Sequence, residues 1–156
     1  MLILTAQRLK KKIGTHALPT AELELNGAQA YLMAESGVKA ISSVLNITRM
    51  YSCVGAVAAL GRARDIAHEY AKVRVVGGRT LAKNPLHMHT LSRVDTLHLV
   101  LLHFVINVAL LLGISENTPN ARDGDLLRLL TPVAKAFCAA RVPGKIEECS
   151  ASTLRG

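Results

Sequence analysis

The segment EYAKVRVVGGRTLAKNPLHMHTL, residues 69–91, decides the architecture of this chain. A basic run of helical character reaches Arg74 and meets Gly77-Gly78, and a second helical pattern begins near Pro85. Glycine dipeptides interrupt helices because glycine adopts backbone conformations that other residues avoid, whereas proline is favoured in the first turn of a helix. The segment therefore predicts two helices that are joined by a tight corner at the two glycines.

Helical periodicity extends far on both sides of this corner. Apolar residues recur at spacings of three and four from Gly37 to about Val76, which predicts a first helix of nearly forty residues. A second helix is predicted from Asn84 to Gly113, with the glycine as its C-terminal stop. Residues 114–125 are predicted to form a loop, and a third helix is predicted from near Asp123–Asp125 toward Cys149.

The three predicted helices define a mainly α fold, an up-down helical bundle that is preceded by short strands. Pro132 and Pro143 are expected weak points of the third helix, because proline lacks the backbone N–H of a helical hydrogen bond. The predicted domains are 1–36 for the strand segment, 37–149 for the helical bundle and 150–156 for a disordered tail. Three long helices with one uncovered face suggest a bundle that lacks a fourth member.

The strand segment is recognised by a two-residue period. In TAELELNGAQAYLM, Glu22 and Glu24 alternate with leucines, as in a half-buried strand. Asn26-Gly27 predicts a turn, and residues 28–33 are predicted to return as a second short strand. Two or three short strands do not form an independently stable sheet, so we expect this segment to dock on another surface.

Composition limits the function classes. Of the 156 residues, 50% are apolar and 19% are charged, which excludes a compositionally disordered chain. The formal net charge is +8, a balance that suits phosphate-bearing partners such as nucleic acid. However, the basic residues are spread and are not interleaved with aromatic ones, so a solvated basic face is the commoner interpretation. They are the RLKKK run at 8–12, Arg62, Arg64, Lys72, Arg74, Arg79 and Lys83.

The cysteines and the apolar runs bear on the compartment. Cys53, Cys138 and Cys149 form no close pair and no metal-binding spacing, which predicts free thiols in a reducing, intracellular environment. The apolar part of the N-terminus is too short for a signal peptide, which favours an unprotected first strand. Residues 97–112 are nearly all apolar, but the run is shorter than the roughly 20 residues of a membrane span. We therefore interpret the run as a buried helix of a soluble bundle.

No active site is visible from residue spacing alone. Gly77-Gly78 lacks the Gly-Lys-Ser/Thr ending of a phosphate-binding loop, and no strand of a dinucleotide fold precedes it. The spacings of two and five among His87, His89, His98 and His103 do not align them on one helical face, and no acidic partner is identified between them, so a metal site is not predicted. A simple corner between helices remains the favoured interpretation of the glycines.

Four segments, taken in order, carry a family resemblance. They are RLKKKIGTHALPTAELELNGAQAYLM at 8–33, LNITRMYSCVGAVAALGRARDIAHEYAKVRVVGG at 45–78, LAKNPLHMHTLSRVDTL at 81–97 and LRLLTPVAKAFCA at 127–139. This series resembles the acyl-CoA dehydrogenase superfamily, on its adaptive-response (AidB-like) branch. The resemblance implies the last edge of a central β-domain, followed by three helices of a C-terminal four-helix bundle.

The resemblance also implies a flavin contact at the glycine corner. Arg74 matches an arginine that reaches the diphosphate of FAD held by the neighbouring subunit, and Gly78 matches the glycine that follows in the family. Gly77 stands where the family has a phenylalanine against the flavin, and Pro85 stands where many members have a glutamine. One of three flavin contacts is therefore kept, and we expect the chain alone not to bind FAD.

The resemblance implies a substrate wall at the start of the first helix. Arg49 matches an arginine near the active site, and Asn46 matches a position that contacts the CoA moiety. Thr48 occupies the place where the isovaleryl type has its catalytic glutamate, but a threonine hydroxyl does not abstract a proton at neutral pH. No catalytic residue is therefore assigned within these 156 residues.

Three functions follow as expectations. In an intact relative, the resemblance implies oxidation of acyl-CoA to enoyl-CoA with FAD, and homo-oligomers assembled through the bundle. We expect the isolated chain to be inactive in this reaction. The alternatives are a non-catalytic helical oligomerisation module, which would use exposed apolar faces, and a basic nucleic-acid-binding surface.

Overall fold

The computed structural model describes residues 4–12, 15, 17–118 and 120–154. The chain divides into two compact units, one up to Ala40 and a second from Ile41 onward. Parts of two sequence predictions lie outside the described residues. They are residues 1–3 of the N-terminus considered as a signal peptide and residues 155–156 of the predicted tail. The fold is mainly α, with three long helices and short strands before them, as the sequence predicts.

Two antiparallel strands form the N-terminal unit. β1, Leu4–Leu9, pairs with β2, Ala21–Leu25. Across the pair, Arg8 Nε donates to Glu22 Oε2 at 2.7 Å, and Lys10 Nζ lies 3.3 Å from Glu22 Oε1. Opposite charges facing each other across antiparallel strands stabilise their register, so Glu22 selects the upstream segment as its partner.

The predicted hairpin around Asn26-Gly27 is wrong. Gly27 does adopt the positive φ of a turn, at 67°. However, residues 28–33 form no strand, and Tyr31 and Met33 are 94% and 92% exposed. Because residues 28–33 have no buried face, pairing them as a strand would not lower the free energy of the chain. Exposed two-stranded ribbons are marginally stable in water.

The first long helix, α1, spans Gly37–Val73 and ends three residues before the predicted limit. Its buried residues recur at helical spacings: Met50, Cys53, Val57, Leu60, Ala67 and Ala71. When one side of a helix faces a core, about every third or fourth residue along it is buried. This stripe is the contribution of α1 to the bundle.

The predicted corner is a two-residue β-hairpin. β3, Val75–Val76, pairs antiparallel with β4, Arg79–Thr80. Gly77 and Gly78 between them have φ of 59° and 79°. Two consecutive positive φ angles define a type I′ turn, which matches the twist of the flanking strands and strongly favours glycine. The glycines are therefore needed for the chain reversal itself.

The second long helix, α2, spans Pro85–Asn117 and begins as predicted. The Asn84 side chain accepts from Leu86 N at 3.1 Å and His87 N at 3.4 Å, which caps the first turn. The predicted stop at Gly113 is wrong. Gly113 lacks the positive φ that a C-terminal glycine cap needs, and Asn117 Nδ2 instead donates to the Gly113 carbonyl at 2.7 Å.

The third long helix, α3, spans Ala121–Leu154, so most of the predicted loop is helical. Pro132 and Pro143 lie inside the helix without ending it. The predicted disordered tail is corrected as well, because Ser150–Leu154 continues the helix. Buried residues on both sides of each proline hold the two halves of α3 against one core, and tertiary packing of this kind overrides local propensity. They are Leu127, Thr131, Ala134, Cys138, Val142 and Cys149.

Helix α2 is buried on one face only, which corrects the expectation for residues 97–112. Leu101, Val105 and Val108 lie in the core, but Leu99 and Leu110 are 56% and 61% exposed. By length and composition, both α1 and α2 could cross a membrane. Core helices of soluble bundles pass the same test, so this property is weak support for a span.

The three cysteines are free and buried. Although the two cysteines are far apart in sequence, the Cys53 thiol of α1 and the Cys138 thiol of α3 are close enough to influence each other's pKa. Burial, together with the neighbouring Cys53, raises the pKa of the Cys138 thiol to about 11. Burial also raises the pKa of Cys53 and of Cys149.

We expect all three thiols to resist modification in the folded chain. The thiolate is the reactive form, and these groups are both protonated and shielded at neutral pH. A chromogenic disulfide reagent should react at least roughly 100-fold more slowly with the folded chain than with the denatured chain, since access requires local or global opening. Rapid reaction of one thiol equivalent in the folded chain with the reagent would contradict this prediction.

Candidate functional site

Arg74 lies at the junction between α1 and the glycine hairpin. Its backbone N donates to the Tyr70 carbonyl at 2.9 Å, and its carbonyl accepts from Leu81 N at 2.9 Å. These two bonds fix the start of the side chain on both sides of the turn. The hairpin thus closes with Arg74 at its base and Gly77-Gly78 at its tip.

The guanidinium of Arg74 lacks an internal partner. Its Nε is buried, and among the described residues no hydrogen bond or ion pair reaches this group. A buried donor that is left unpaired costs about 1–3 kcal/mol, and more when it is charged. A second unpartnered atom, His87 Nε2, lies in the first turn of α2. Arg74 therefore retains the capacity to donate to an acceptor from outside this chain.

The adjoining glycines leave open space. A Cβ atom added at Gly77 or Gly78 would meet no atom within 4 Å, although their positive φ angles disfavour a side chain. An arginine can pair with a phosphate through two parallel N–H···O bonds. The unpartnered donor and the open turn therefore fit the diphosphate of a dinucleotide cofactor, while Gly77 supplies no aromatic face for its ring system.

The residues predicted for the substrate wall lie near the start of α1. Arg49 Nη1 donates to Asn46 Oδ1 at 3.5 Å, the outer limit of a hydrogen bond, and both side chains are half-buried. Thr48 is exposed, and its hydroxyl donates to the Leu45 carbonyl at 3.0 Å. The structure brings Asn46 and Arg49 together, whereas the Thr48 hydroxyl is occupied by the backbone.

The two candidate clusters are far apart. Arg49 and Arg74 belong to one helix and its end, and 25 residues at about 1.5 Å per residue separate them by ~37 Å. Side chains at opposite ends of such a helix do not face the same reacting centre. The two predicted clusters therefore do not converge on one point within this chain.

A polar network between α1 and α2 escaped the sequence analysis. Arg64 Nη1 lies 3.0 Å from His98 Nδ1, and Arg64 Nε lies 3.8 Å from Asp95 Oδ1. His68 Nε2 lies 3.0 Å from the same Asp95 oxygen. Each pair joins residues about thirty positions apart in sequence, so spacing within one helix does not identify the partners. One sequence feature does indicate a polar contact here. Arg64 and His68, and likewise Asp95 and His98, are spaced so that each pair lies on one face of its helix.

His98 packs closely against α1. A methyl group at Gly61 would lie 2.8 Å from His98 Nε2, so the glycine permits this approach of the two helices. Burial, and then the positive charge of Arg64, lower the pKa of His98 below its ordinary value of 6.5, while Asp65 and Asp95 act in the opposite direction. Neutral His98 can accept the hydrogen bond from Arg64, whereas imidazolium cannot.

We expect acid to weaken the contact between α1 and α2. Because the pKa of His98 is lower in the folded chain, the unfolded chain binds the proton more readily, and stability falls as pH drops below about 6.5. Replacing His98→Gln should flatten this part of the profile of thermal midpoint against pH. The matched control is His103→Gln, which removes an exposed imidazole from the same helix. Equal slopes for the wild type and the His98 variant would contradict the prediction.

The described part of the chain offers no cluster of three or more His, Cys, Asp or Glu residues for a metal ion.

Comparison with known proteins gives a consistent pattern. Residues 35–143 match the family described as acyl-CoA dehydrogenase, C-terminal domain. Acyl-CoA dehydrogenase family member 11 of Caenorhabditis elegans is 41% identical over 146 residues, which are 90% of this chain and 23% of that protein. Putative acyl-CoA dehydrogenase AidB of Escherichia coli (strain K12) is 29% identical over 143 residues, 88% of this chain and 25% of that protein. The chain thus spans about a quarter of these relatives' length.

Two solved structures are similar in fold. The crystal structure of Caenorhabditis elegans ACDH-11 in complex with C11-CoA superposes with a TM-score of 0.83 and 35% sequence identity, covering 96% of this chain and 26% of that one. The apo-form of Bd2924 gives a TM-score of 0.79 and 38% identity, covering 95% of this chain and 31% of that one.

Proposed function

Because this chain belongs to the acyl-CoA dehydrogenase family and carries its C-terminal domain, we propose that it supplies two separate ligand contacts to an acyl-CoA dehydrogenase-type flavoprotein. One contact is with the diphosphate of FAD, through Arg74 at the glycine hairpin. The other is with acyl-CoA, through Asn46 and Arg49. The observation that carries the proposal is the buried, unpartnered Nε of Arg74.

The flavin contact is electrostatic. Arg74 donates to diphosphate oxygens, and Gly78 keeps the turn open beside them. The chemistry that FAD would supply when bound is acceptance of the β-hydride, which together with loss of the α-proton to a base converts an acyl-CoA to an enoyl-CoA. With Gly77 in place of an aromatic residue, the hairpin offers charge without stacking. We therefore expect FAD to leave the thermal midpoint of the isolated chain unchanged.

The acyl-CoA contact lies at the other end of α1. Asn46 and Arg49 form a half-buried polar pair that suits the amide and phosphate groups of CoA. Thr48 has no carboxylate and is bonded to the backbone, so it holds no proton-abstracting role. The catalytic base would come from another part of a longer protein, and the isolated chain is expected to be inactive.

The two contacts are proposed to involve two copies of the chain. The family resemblance implies that an arginine at the position of Arg74 reaches a flavin held by the neighbouring subunit, and the separation of ~37 Å from Arg49, at about 1.5 Å per residue, agrees with contacts to different sites. Exposed apolar residues on α1 and α2, such as Val38, Ile41, Leu99 and Leu110, provide surface for homo-oligomers. Such an assembly is intracellular and soluble.

A chimera tests this function. Residues 35–143 would replace the matching segment of the Caenorhabditis elegans family member 11 protein, and flavin content would be read from the visible absorbance. We expect a folded oligomer that retains flavin and binds acyl-CoA. A folded oligomer without flavin would reject the proposed contact and favour a non-catalytic helical interaction module, for which the exposed apolar faces also provide support.

A nucleic-acid-binding function has less support. Within the RLKKK run, Arg8 and Lys10 both pair with Glu22, so part of the basic charge is neutralised internally. A steep loss of affinity for DNA with rising salt would revive this alternative.

A further inference from the structure

Two buried nitrogen atoms lie without partners near the glycine hairpin. Among the described residues, Arg74 Nε and His87 Nε2 are the buried side-chain atoms that make no hydrogen bond. Native structures pair the large majority of their buried polar atoms, so each exception calls for a physical reason. The proposed contact with FAD gives such a reason for Arg74 and leaves His87 without one.

The pairing of α1 with α2 brings these two residues to the same level of the bundle. The helices run antiparallel, and His68 Nε2 lies 3.0 Å from Asp95 Oδ1 across them. The backbone N of Arg74 still makes a helical hydrogen bond, so the chain follows α1 up to this residue. Arg74 comes six residues after His68 and is therefore level with position 89, six residues before Asp95. His87 lies two residues from that position, which is about 3 Å along the helix axis.

His87 lies on the inward-facing side of α2. Leu91 and Val94, four and seven residues further along, are fully buried. Residues at these spacings share one face of a helix. His89, in the same turn as His87, is exposed. The Nε2 atom of His87 is therefore enclosed at the hairpin end of the bundle, where Arg74 also lies.

The charges around this end favour a negatively charged partner. From residue 70 to residue 94 the chain has no Asp or Glu, but it has five cations. The free backbone N–H groups at the start of α2 add partial positive charge. An anion from outside this segment therefore suits the two unpaired nitrogens better than a neutral group does. The five cations are Lys72, Arg74, Arg79, Lys83 and Arg93.

We propose that His87 is a second binding residue for the diphosphate of FAD, and that its Nε2 donates a hydrogen bond to a phosphate oxygen beside the bond from Arg74. This inference rests on the proposed function and adds a contact to the same site. The neutral imidazole fills the role as the tautomer with its proton on Nε2. Pro85 stands where the family resemblance implies a glutamine in many members, and His87 supplies an N–H donor from the same turn of α2.

The chimera described above tests this contact, with FAD as the probe. His87→Leu removes the N–H donor and should weaken FAD binding roughly 10-fold, as for loss of a hydrogen bond to a charged group. His87→Gln retains an N–H donor and should stay within about threefold of the unmodified chimera. The matched control is His89→Leu, which removes an exposed imidazole from the same turn and should leave the affinity unchanged.

Two further measurements separate a ligand contact from a packing role. The thermal midpoint of the flavin-free chimera should be unchanged or raised by His87→Leu, because a buried unpaired atom is removed. In phosphorus NMR, the diphosphate resonances of bound FAD should shift in the His87→Leu variant and keep their positions in the His89→Leu variant.

Each failure has its own signature. If Arg74→Ala weakens FAD binding and His87→Leu does not, the flavin contact stands and the role of His87 is rejected. If His87→Leu also lowers the flavin-free midpoint, or if His87→Gln loses as much affinity as His87→Leu, the histidine is a packing residue and the inference is overturned. A folded chimera without flavin would reject both this inference and the proposed function.

Discussion

Replacing Leu60 with alanine is expected to lower the free energy of unfolding by about 2–5 kcal/mol, the range for deleting a buried leucine side chain. Leu60 is fully buried in the middle of α1, where it packs in the cluster that joins all three long helices. The substitution removes apolar contacts and leaves a cavity that long helices on both sides can close only in part. Urea unfolding followed by circular dichroism gives the difference between the two proteins.

The matched control for this prediction is Leu129→Ala. Leu129 lies on α3 and is 63% exposed, so the same truncation there creates no cavity. Its effect should stay within about 0.5 kcal/mol, as for most surface substitutions. If the two variants lose equal stability, the predicted core does not hold the chain together.

Arg74→Ala, placed in the chimera described above, is expected to lower the affinity for FAD by roughly 10- to 100-fold, which is the value of a hydrogen bond between charged groups. The side chain makes no bond inside the described part of this chain, so its removal should leave the thermal midpoint of the flavin-free protein unchanged or raised, because a buried unpaired donor is removed. Loss of flavin without loss of stability is the combined result that identifies a ligand contact. Fluorescence of released flavin measures the affinity.

Two further variants separate charge from geometry at the same hairpin. Arg79→Ala removes an exposed arginine of β4 and should leave flavin affinity unchanged. Arg74→Lys keeps the charge but loses the paired N–H groups, and we expect intermediate affinity. Equal losses for Arg74→Ala and Arg79→Ala would point to general electrostatic attraction and contradict a specific contact.

Helix starts could be predicted from the sequence, but several helix ends could not. Pro85 and its Asn84 cap act locally, and the predicted start of α2 is confirmed. Gly113 was expected to stop this helix, yet a glycine ends a helix only when the chain needs its positive φ, and here Asn117 satisfies the carbonyl instead. In α3, burial on both sides of Pro132 and Pro143 outweighs the local cost of the prolines.

Contacts between distant segments explain the remaining differences. The strand partner of Glu22 lies upstream, at Arg8, and local turn chemistry around Gly27 pointed the other way. The network of Arg64 with His98 also joins distant positions, so periodicity alone did not reveal it. The family resemblance, which depends on the order of motifs, is confirmed by the match over residues 35–143. The roles of Asn46, Arg49 and Arg74 stay proposals.

The length of α1 has a genetic consequence. Under the proposed arrangement, each site combines Arg49 of one copy with Arg74 of another, because a single helix keeps them ~37 Å apart at about 1.5 Å per residue. In a longer protein that carries this domain together with a catalytic base, an allele with Arg74→Ala and an allele with Arg49→Ala would then rescue each other in a mixed dimer. One site of the mixed dimer then lacks both arginines, and the other site retains both. Two inactive parents therefore yield a partly active heterozygote.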